Sequence, residues 1–318
     1  MDIVEARRFC VGCLLDPQKT LGARLAARAP VPDPAIGEII PDVVGVGTGI
    51  APNGTPSLHV LLRQANLATP AAVASLSRRT GQRIEALVVG PFSIRPPAPA
   101  LPHRVRRRPA PGGISIGHFR ITAGTLGGLV QDASGQVYIL SNNHVLANTN
   151  RAVAGEHILQ PGLSDKGKPA DAIATLSRFV ALNPAPAVNY VDAAIAKPLD
   201  RSDVDPDILG LGRTNGVLNG QLQTKVRKSG RTTEVTDGVI RFISSQASVD
   251  YGSVVYYFED QIVVESGRSP FSDGGDSGSL VLSESNAVIG LLFAGNDRFT
   301  LVNPIETVLR ALGVSHVL

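Results

Sequence analysis

Tryptophan is absent, methionine occurs once, and aromatic residues make up only 4% of the 318-residue chain. A surface that stacks nucleic-acid bases needs aromatic side chains set in a strong positive excess. Here 30 basic residues face 27 acidic ones for a net charge of +3, so nothing in the composition asks for a nucleic-acid partner. Cysteine is nearly missing too, and the two present, Cys10 and Cys13, sit close together at the start of the chain. No disulfide can then brace the body of the protein, the usage expected of a reducing compartment. Long apolar runs are also lacking: no window approaches the roughly 18 uninterrupted apolar residues of a membrane helix. The opening residues do not read as a secretory signal, because Asp2 and Glu5 come first and Arg7, Arg8 and Asp16 break up the apolar positions beyond them. The expectation is a cytoplasmic protein without a membrane partner.

What is present is a turn-rich chain, 43% apolar with 33 glycines and 23 prolines, long enough for two domains with proper cores. Residues 1–30 carry apolar positions at roughly helical spacing. Apolar runs at 43–48 and 57–63, a helical stretch at 70–79 and a further run at 84–89 predict a small ββαβ module, the helix stopped by Gly81. Residues 95–112 are rich in proline and arginine and include the basic run His103 to Arg108, a composition that favours an extended, solvated connector. Short apolar runs between Gly, Asn and Asp turns then recur to the end, closed by a helix at 305–312, and predict a mainly β barrel or sandwich. The division is 1–94, 95–112 and 113–318.

The stretch richest in chemistry is Gly274-Gly275-Asp276-Ser277-Gly278-Ser279, with an apolar run directly after it. Glycine tolerates the backbone angles of a tight turn that projects a serine hydroxyl. The same turn can aim the Gly275 and Ser277 amides at one point, as an oxyanion hole requires. Of the six histidines, only His144 comes directly after a predicted buried strand, where a general base would have a fixed position. Two carboxylates head apolar segments, Asp171 and Asp192. Asp192 is favoured as the partner of the imidazole, because a carboxylate between Val191 and the run Ala193 to Ala196 is costly to bury without a hydrogen-bond donor.

His144, Asp192 and Ser277 stand in an order along the chain that resembles the chymotrypsin-like (trypsin-fold) serine proteases. Lys228-Ser229-Gly230-Arg231-Thr232-Thr233 is similar to a strand-and-turn motif of bacterial members, and the likeness covers about 113–318. A closer resemblance is to cysteine-poor, trypsin-like peptidases related to the plant narrow-leaf protein, through residues 139–147, 191–196, 291–295 and 303–305. The resemblance implies two half-barrels, with Ser277 as nucleophile, His144 as base and then acid, and Asp192 fixing the histidine tautomer. It implies a protein or peptide substrate and a homo-oligomer, with no cofactor and no metal. Asp276 would hold the turn by pairing within the protein. Phe271 falls at the base of the specificity pocket, with Phe293, Ala294 and Gly295 along one wall; with no acid at the base, a small or apolar residue is expected before the scissile bond. Asn142, Asn143 and Ser279 depart from the commoner pattern, and Gly112-Gly113-Ile114 is unlike a zymogen cleavage site.

Other signals are weaker. Gly162 to Pro169 nearly matches a phosphate-binding loop but has Pro169 where a magnesium-binding Ser or Thr belongs. Gly45-Val46-Gly47-Thr48-Gly49 misses the dinucleotide spacing and is read as a turn. Cys10 and Cys13 lack the further ligands of a zinc site. The leading expectation is a serine endopeptidase. Its rivals are a catalytically silent protease-like binding or scaffold protein and an esterase.

Overall fold

The computed structural model describes residues 43–65, 69–92, 102–267 and 269–318, which gather into two compact units. The expected helical lead, with Cys10 and Cys13, lies outside the described residues. Among them no helix is long and apolar enough to cross a membrane, and no cluster of His, Cys, Asp and Glu is arranged to hold a metal.

The smaller unit holds residues 43–65 and 69–92 together with Asn183–Asn189 and Arg241–Gln261. Its elements β1 (Val43–Ile50), β2 (Pro56–Leu62), α1 (Thr69–Thr80) and β3 (Ile84–Val88) take the ββαβ order. β1 and β2 are antiparallel, whereas β3 lies parallel to β2 from Leu58 opposite Ile84 to Leu62 opposite Val88. A parallel return needs a crossover, which α1 supplies. The helix stops at Gly81, whose φ of +66° suits glycine and whose N–H donates to Ser77 O at 3.0 Å. The glycine run 45–49, expected as a turn, is instead part of β1. A Cβ on Gly49 would sit 2.6 Å from the Phe242 ring and one on Gly47 2.6 Å from Ser245 Oγ, so the glycines serve close packing.

The larger unit is mainly β. Its first set of elements is β4 (Ala110–Gly112), β5 (Ser115–His118), β6 (Gly124–Thr125), β7 (Gly128–Gln131), β8 (Val137–Ser141), the one-turn helix α2 (Asn143–Leu146), β9 (His157–Leu159) and β10 (Ala172–Phe179). After β11 (Val188–Asn189), which belongs to the smaller unit, come β12 (Ala194–Pro198), β13 (Val204–Ile208) and β14 (Gly212–Arg213). The second set is β15 (Lys225–Gly230), β16 (Glu234–Asp250), β17 (Val255–Ser266), β18 (Leu280–Ser283), β19 (Val288–Gly295), β20 (Phe299–Pro304), the helix α3 (Ile305–Leu312) and β21 (His316–Val317). The far ends of β16 and β17 belong to the smaller unit.

Two antiparallel sheets form the half-barrels. One is ordered β21-β7-β8-β12-β10-β9-β5-β6; the other runs β17-β20-β19-β18-β15-β16, with β16 paired back to β17. β8 and β19 are buried along their whole length, as central strands with continuous apolar runs should be. Ile116, Leu129, Ile139 and Ile173 fill one core, and Leu140, Ile195, Leu282 and Leu291 a second. α3 covers the second core with Ile305, Val308, Leu309 and Leu312, at the spacing of one helical face, and ends at Gly313 with φ +61°.

The stretch expected as a solvated connector is exposed at Pro102, at 105–107 and at Pro109, but not throughout. His103 and Arg104 are buried, and Ala110–Gly112 is a strand paired with β13.

Candidate active site

β8 leads straight into the histidine. Ser141 Oγ ends the strand by donating to Thr125 O at 2.7 Å, and α2 begins two residues later. The two asparagines that depart from the commoner pattern are fully buried and anchor the turn. Asn142 Nδ2 donates to Asp192 O at 2.7 Å; Asn143 Nδ2 donates to Asn150 Oδ1 and to Val180 O, both at 2.7 Å.

Asp192 precedes β12, which pairs with β8 through Ala194 opposite Ser141, so the aspartate arrives beside the end of the histidine strand. It lies in the approach to β12 and is 0% exposed. One carboxylate oxygen, Oδ2, is 2.5 Å from His144 Nδ1, and the other accepts the His144 main-chain N–H at 3.2 Å. A carboxylate only accepts, so Nδ1 is the protonated ring nitrogen, assigned from its partner, and Nε2 keeps its lone pair. The Asp192 N–H donates in turn to Asn303 Oδ1 at 3.0 Å, so its peptide is gripped from both sides by buried amides. Asp171, the rejected alternative, lies elsewhere at a short turn, accepting from Arg106 Nε at 3.0 Å and from the Lys168 N–H at 2.9 Å.

The serine turn enters from the other half-barrel. Gly275 and Gly278 have φ of +97° and +98°, angles that a side chain would strain. The Thr125 N–H donates to Ser277 O at 2.8 Å, and the Gly278 N–H donates to Leu292 O at 2.9 Å. An added Cβ on Gly124 would lie 2.5 Å from Val145, the neighbour of His144, and 3.0 Å from Ser277 O. One on Gly278 would fall on Ser141 Oγ and Thr125 O. β6 therefore lies main chain to main chain on the serine turn, and its Gly124, with Gly278 of that turn, leaves the space that the Val145 and Ser141 side chains of the histidine turn occupy. Ser277 Oγ donates to Phe293 O at 3.3 Å and, among the described residues, is not hydrogen-bonded to His144.

Carbonyl partners set the direction of the amides in this turn. Thr232 Oγ1 donates to Gly274 O at 2.6 Å, while Ser279 Oγ at 2.6 Å and the Ser279 N–H at 3.0 Å both donate to Asp276 O. In a trans peptide the N–H points away from the C=O, so holding those carbonyls aims the N–H groups of Gly275 and Ser277 the opposite way. Among the described residues neither N–H has a hydrogen-bond partner.

Beneath the turn lies a charged cluster. Asp276 Oδ1 accepts the Thr232 N–H at 2.7 Å, and Oδ2 accepts Thr233 Oγ1 at 2.6 Å and the Asp273 N–H at 2.9 Å. Lys228 Nζ is 3.4 Å from Oδ2, with both side chains 0% exposed; it also donates to Thr233 Oγ1 and to Glu234 O. Burial pushes the Lys228 ammonium below its usual range against the pull of Asp276. Arg231 makes a two-point pair with Asp165, 2.6 Å at each contact, and its Nη1 would be 2.7 Å from a Cβ on Gly275. The loop that nearly matched a phosphate site thus contributes Asp165 as a partner for Arg231.

The expected pocket residues are fully or largely buried. Phe271 and Phe293 are 0% exposed; Thr236 Oγ1 holds Phe271 O at 2.6 Å, and Gly295 approaches Ser272. A cavity of about 470 Å³ is lined by Arg107, Arg108 and Asp205 among others, and not by His144, Asp192 or Ser277. Sequence reasoning missed Asn142, Asn303, Thr232 and Ser279 as supports. Only the motif around Lys228 to Thr233 drew attention to that side of the site.

No family model and no curated protein matches the chain. Solved structures do. Thermobifida fusca protease A is 18% identical, over 65% of this chain and 97% of that one, with a TM-score of 0.48. A Nocardiopsis protease is 16% identical, over 65% and 98%, with a TM-score of 0.48. Cellulomonas bogoriensis chymotrypsin is 18% identical, over 65% and 97%, with a TM-score of 0.45.

Proposed function

We propose that the chain is a serine endopeptidase of the chymotrypsin-like type, related to the narrow-leaf group, that hydrolyses peptide bonds of intracellular protein or peptide substrates. The observation that carries this reading is the buried Asp192 carboxylate on both the ring and the main chain of His144, opposite a serine on a glycine turn. Rotation of Ser277 about χ1 moves its hydroxyl from Phe293 O toward His144 Nε2. Oγ then attacks the scissile carbonyl carbon while Nε2 takes the hydroxyl proton. The oxyanion that forms accepts from the Gly275 and Ser277 N–H groups, already aimed by Thr232 and Ser279. The imidazolium passes its proton to the departing amine as the C–N bond breaks. Water, activated by the same nitrogen, cleaves the acyl ester and frees Ser277. Asp192 stays ionised and holds the tautomer throughout. The Phe293 to Gly295 edge with Phe271 behind it favours a small or apolar residue before the cleaved bond. The narrow-leaf resemblance adds a homo-oligomer and regulation by the N-terminal module.

A second reading, a silent protease-like binding protein, draws on one observation, the Ser277 hydroxyl resting on Phe293 O. Labelling with a fluorophosphonate separates the two. Wild type should be modified at Ser277 alone, Ser277→Ala should not react, and Asp192→Asn should react about 10⁴-fold more slowly, because the wrong histidine tautomer is then favoured. A folded wild type that stays unlabelled sinks the enzymatic reading, and turnover of peptides against esters tells a peptidase from an esterase.

A further inference from the structure

The basic stretch that opens the larger unit is not a linker over its first residues. His103 and Arg104 are 7% and 3% exposed, unusual for polar side chains in a connector. His103 Nε2 lies 3.1 Å from Ser229 Oγ, its Nδ1 is 3.3 Å from Glu234 Oε1, and Arg104 Nε donates to Arg231 O at 3.2 Å. All three partners belong to the strand and turn 228–234. The opposite side of that same segment touches the serine turn: Thr232 holds Gly274 O, the Thr232 N–H binds Asp276 Oδ1, and Lys228, anchored on Glu234 O, pairs with Asp276. Segment 228–234 is thus the middle of three layers, with His103 and Arg104 outside and the Gly275 and Ser277 amides inside.

We propose that His103 and Arg104 are positioning residues of the serine site, fixing the 228–234 segment and through it the two amides that face the developing oxyanion. The proposal rests on the peptidase reading for its catalytic consequence and on geometry alone for its structural one. Arg104 fixes the Arg231 carbonyl, and the Arg231 side chain is fixed separately by Asp165. Losing Arg104 therefore loosens the main chain of the turn and leaves the guanidinium in place. His103 holds the start of the segment through the Ser229 side chain.

The test uses the full chain with Arg104→Ala and His103→Leu, beside the milder Arg104→Lys and His103→Gln. Two quantities are read: the saturation kinetics of fluorophosphonate labelling, and hydrogen exchange of peptides spanning 228–233 and 273–279. The removal variants should lower the maximal labelling rate about tenfold, the worth of one hydrogen bond to a charged group. The half-saturating concentration should stay unchanged, since the oxyanion donors act after the probe has bound. Exchange in both peptides should quicken while a control peptide in β10 keeps its rate, and His103→Gln, which keeps a donor and an acceptor, should restore both readouts. If a removal variant does not fold, Arg104→Lys decides the matter by the same two measures. Wild-type rates in both measures, or an equal quickening of exchange everywhere, overturn the proposal. A wild type that never labels refutes the peptidase reading, and the exchange data still decide the positioning role.

Discussion

Lys228→Met offers a stringent check on the charged cluster under the Ser277 turn. Lys228 and Asp276 are both 0% exposed and 3.4 Å apart, so removing the ammonium leaves a carboxylate in the interior without its cation. Breaking one side of a buried pair costs about 3–5 kcal/mol in general. Asp276 keeps its donors from Thr232, Thr233 and Asp273, which places the pair itself near the low end, about 3 kcal/mol. The Glu234 carbonyl also loses its donor at 3.0 Å, adding about 1 kcal/mol. The expected total is about 4 kcal/mol, measured as the change in urea midpoint multiplied by an unchanged m-value. Asp276→Asn placed in the Lys228→Met background should recover about 2 kcal/mol, because the stranded charge is then gone. A Lys228→Met protein within about 1 kcal/mol of wild type, or a double variant that recovers nothing, would refute the view that this pair is a working ionic contact.

The same structure sets two further outcomes. Burial lowers the pKa of His118 below its ordinary 6.5, although its Nε2 lies 3.1 Å from Glu156 Oε2. The unfolded chain then binds the proton more readily, so this contribution is full above 6.5 and is lost as pH falls below it. Urea titrations from pH 7.5 down to 5 should show the decline, by at most about 1.4 kcal/mol per pH unit for one group, and His118→Gln should flatten it; a slope identical in the two proteins would show that His118 is not its source. Gly278→Ala meets both a φ of +98° and the occupied space of Ser141 Oγ and Thr125 O. It should cost about 3 kcal/mol or more in thermal or urea unfolding, whereas a loss under about 1 kcal/mol would mean that the turn can shift aside.

The ββαβ module and the closing helix are legible in the sequence because their apolar spacing and glycine stops are local. Asp192 is separable from Asp171 because the cost of burying a carboxylate can be argued from its neighbours in sequence. The long hairpin of β16 and β17 is not legible, and its apolar runs suggest three short strands instead. Ser244 and Asp260 have φ of +48° and +60° within these strands. Opposite β1, the register passes from Val46 facing Gln246 to Thr48 facing Ile243, so β16 carries an extra residue there. A bulge of this kind reverses the alternation of inward and outward residues, and a period of two is lost while the strand runs on. The apolar run 124–130, which by its spacing reads as one strand, divides into β6 and β7, since Leu126 and Gly127 bond outward to Gly113 and Leu140. The basic stretch misleads at His103 and Arg104 because what they pack against, Ser229, Arg231 and Glu234, lies more than a hundred residues away.

The glycine contact between the histidine and serine turns bears on how the protein can change. Because Gly124 leaves room for Val145 and for the Ser277 carbonyl, and Gly278 for Ser141 and the Thr125 carbonyl, the spacing of the His144 and Ser277 turns depends on two positions that carry no side chain. Side chains away from this contact can then be exchanged without altering that spacing, while the glycines themselves have no neighbour in sequence space to drift toward.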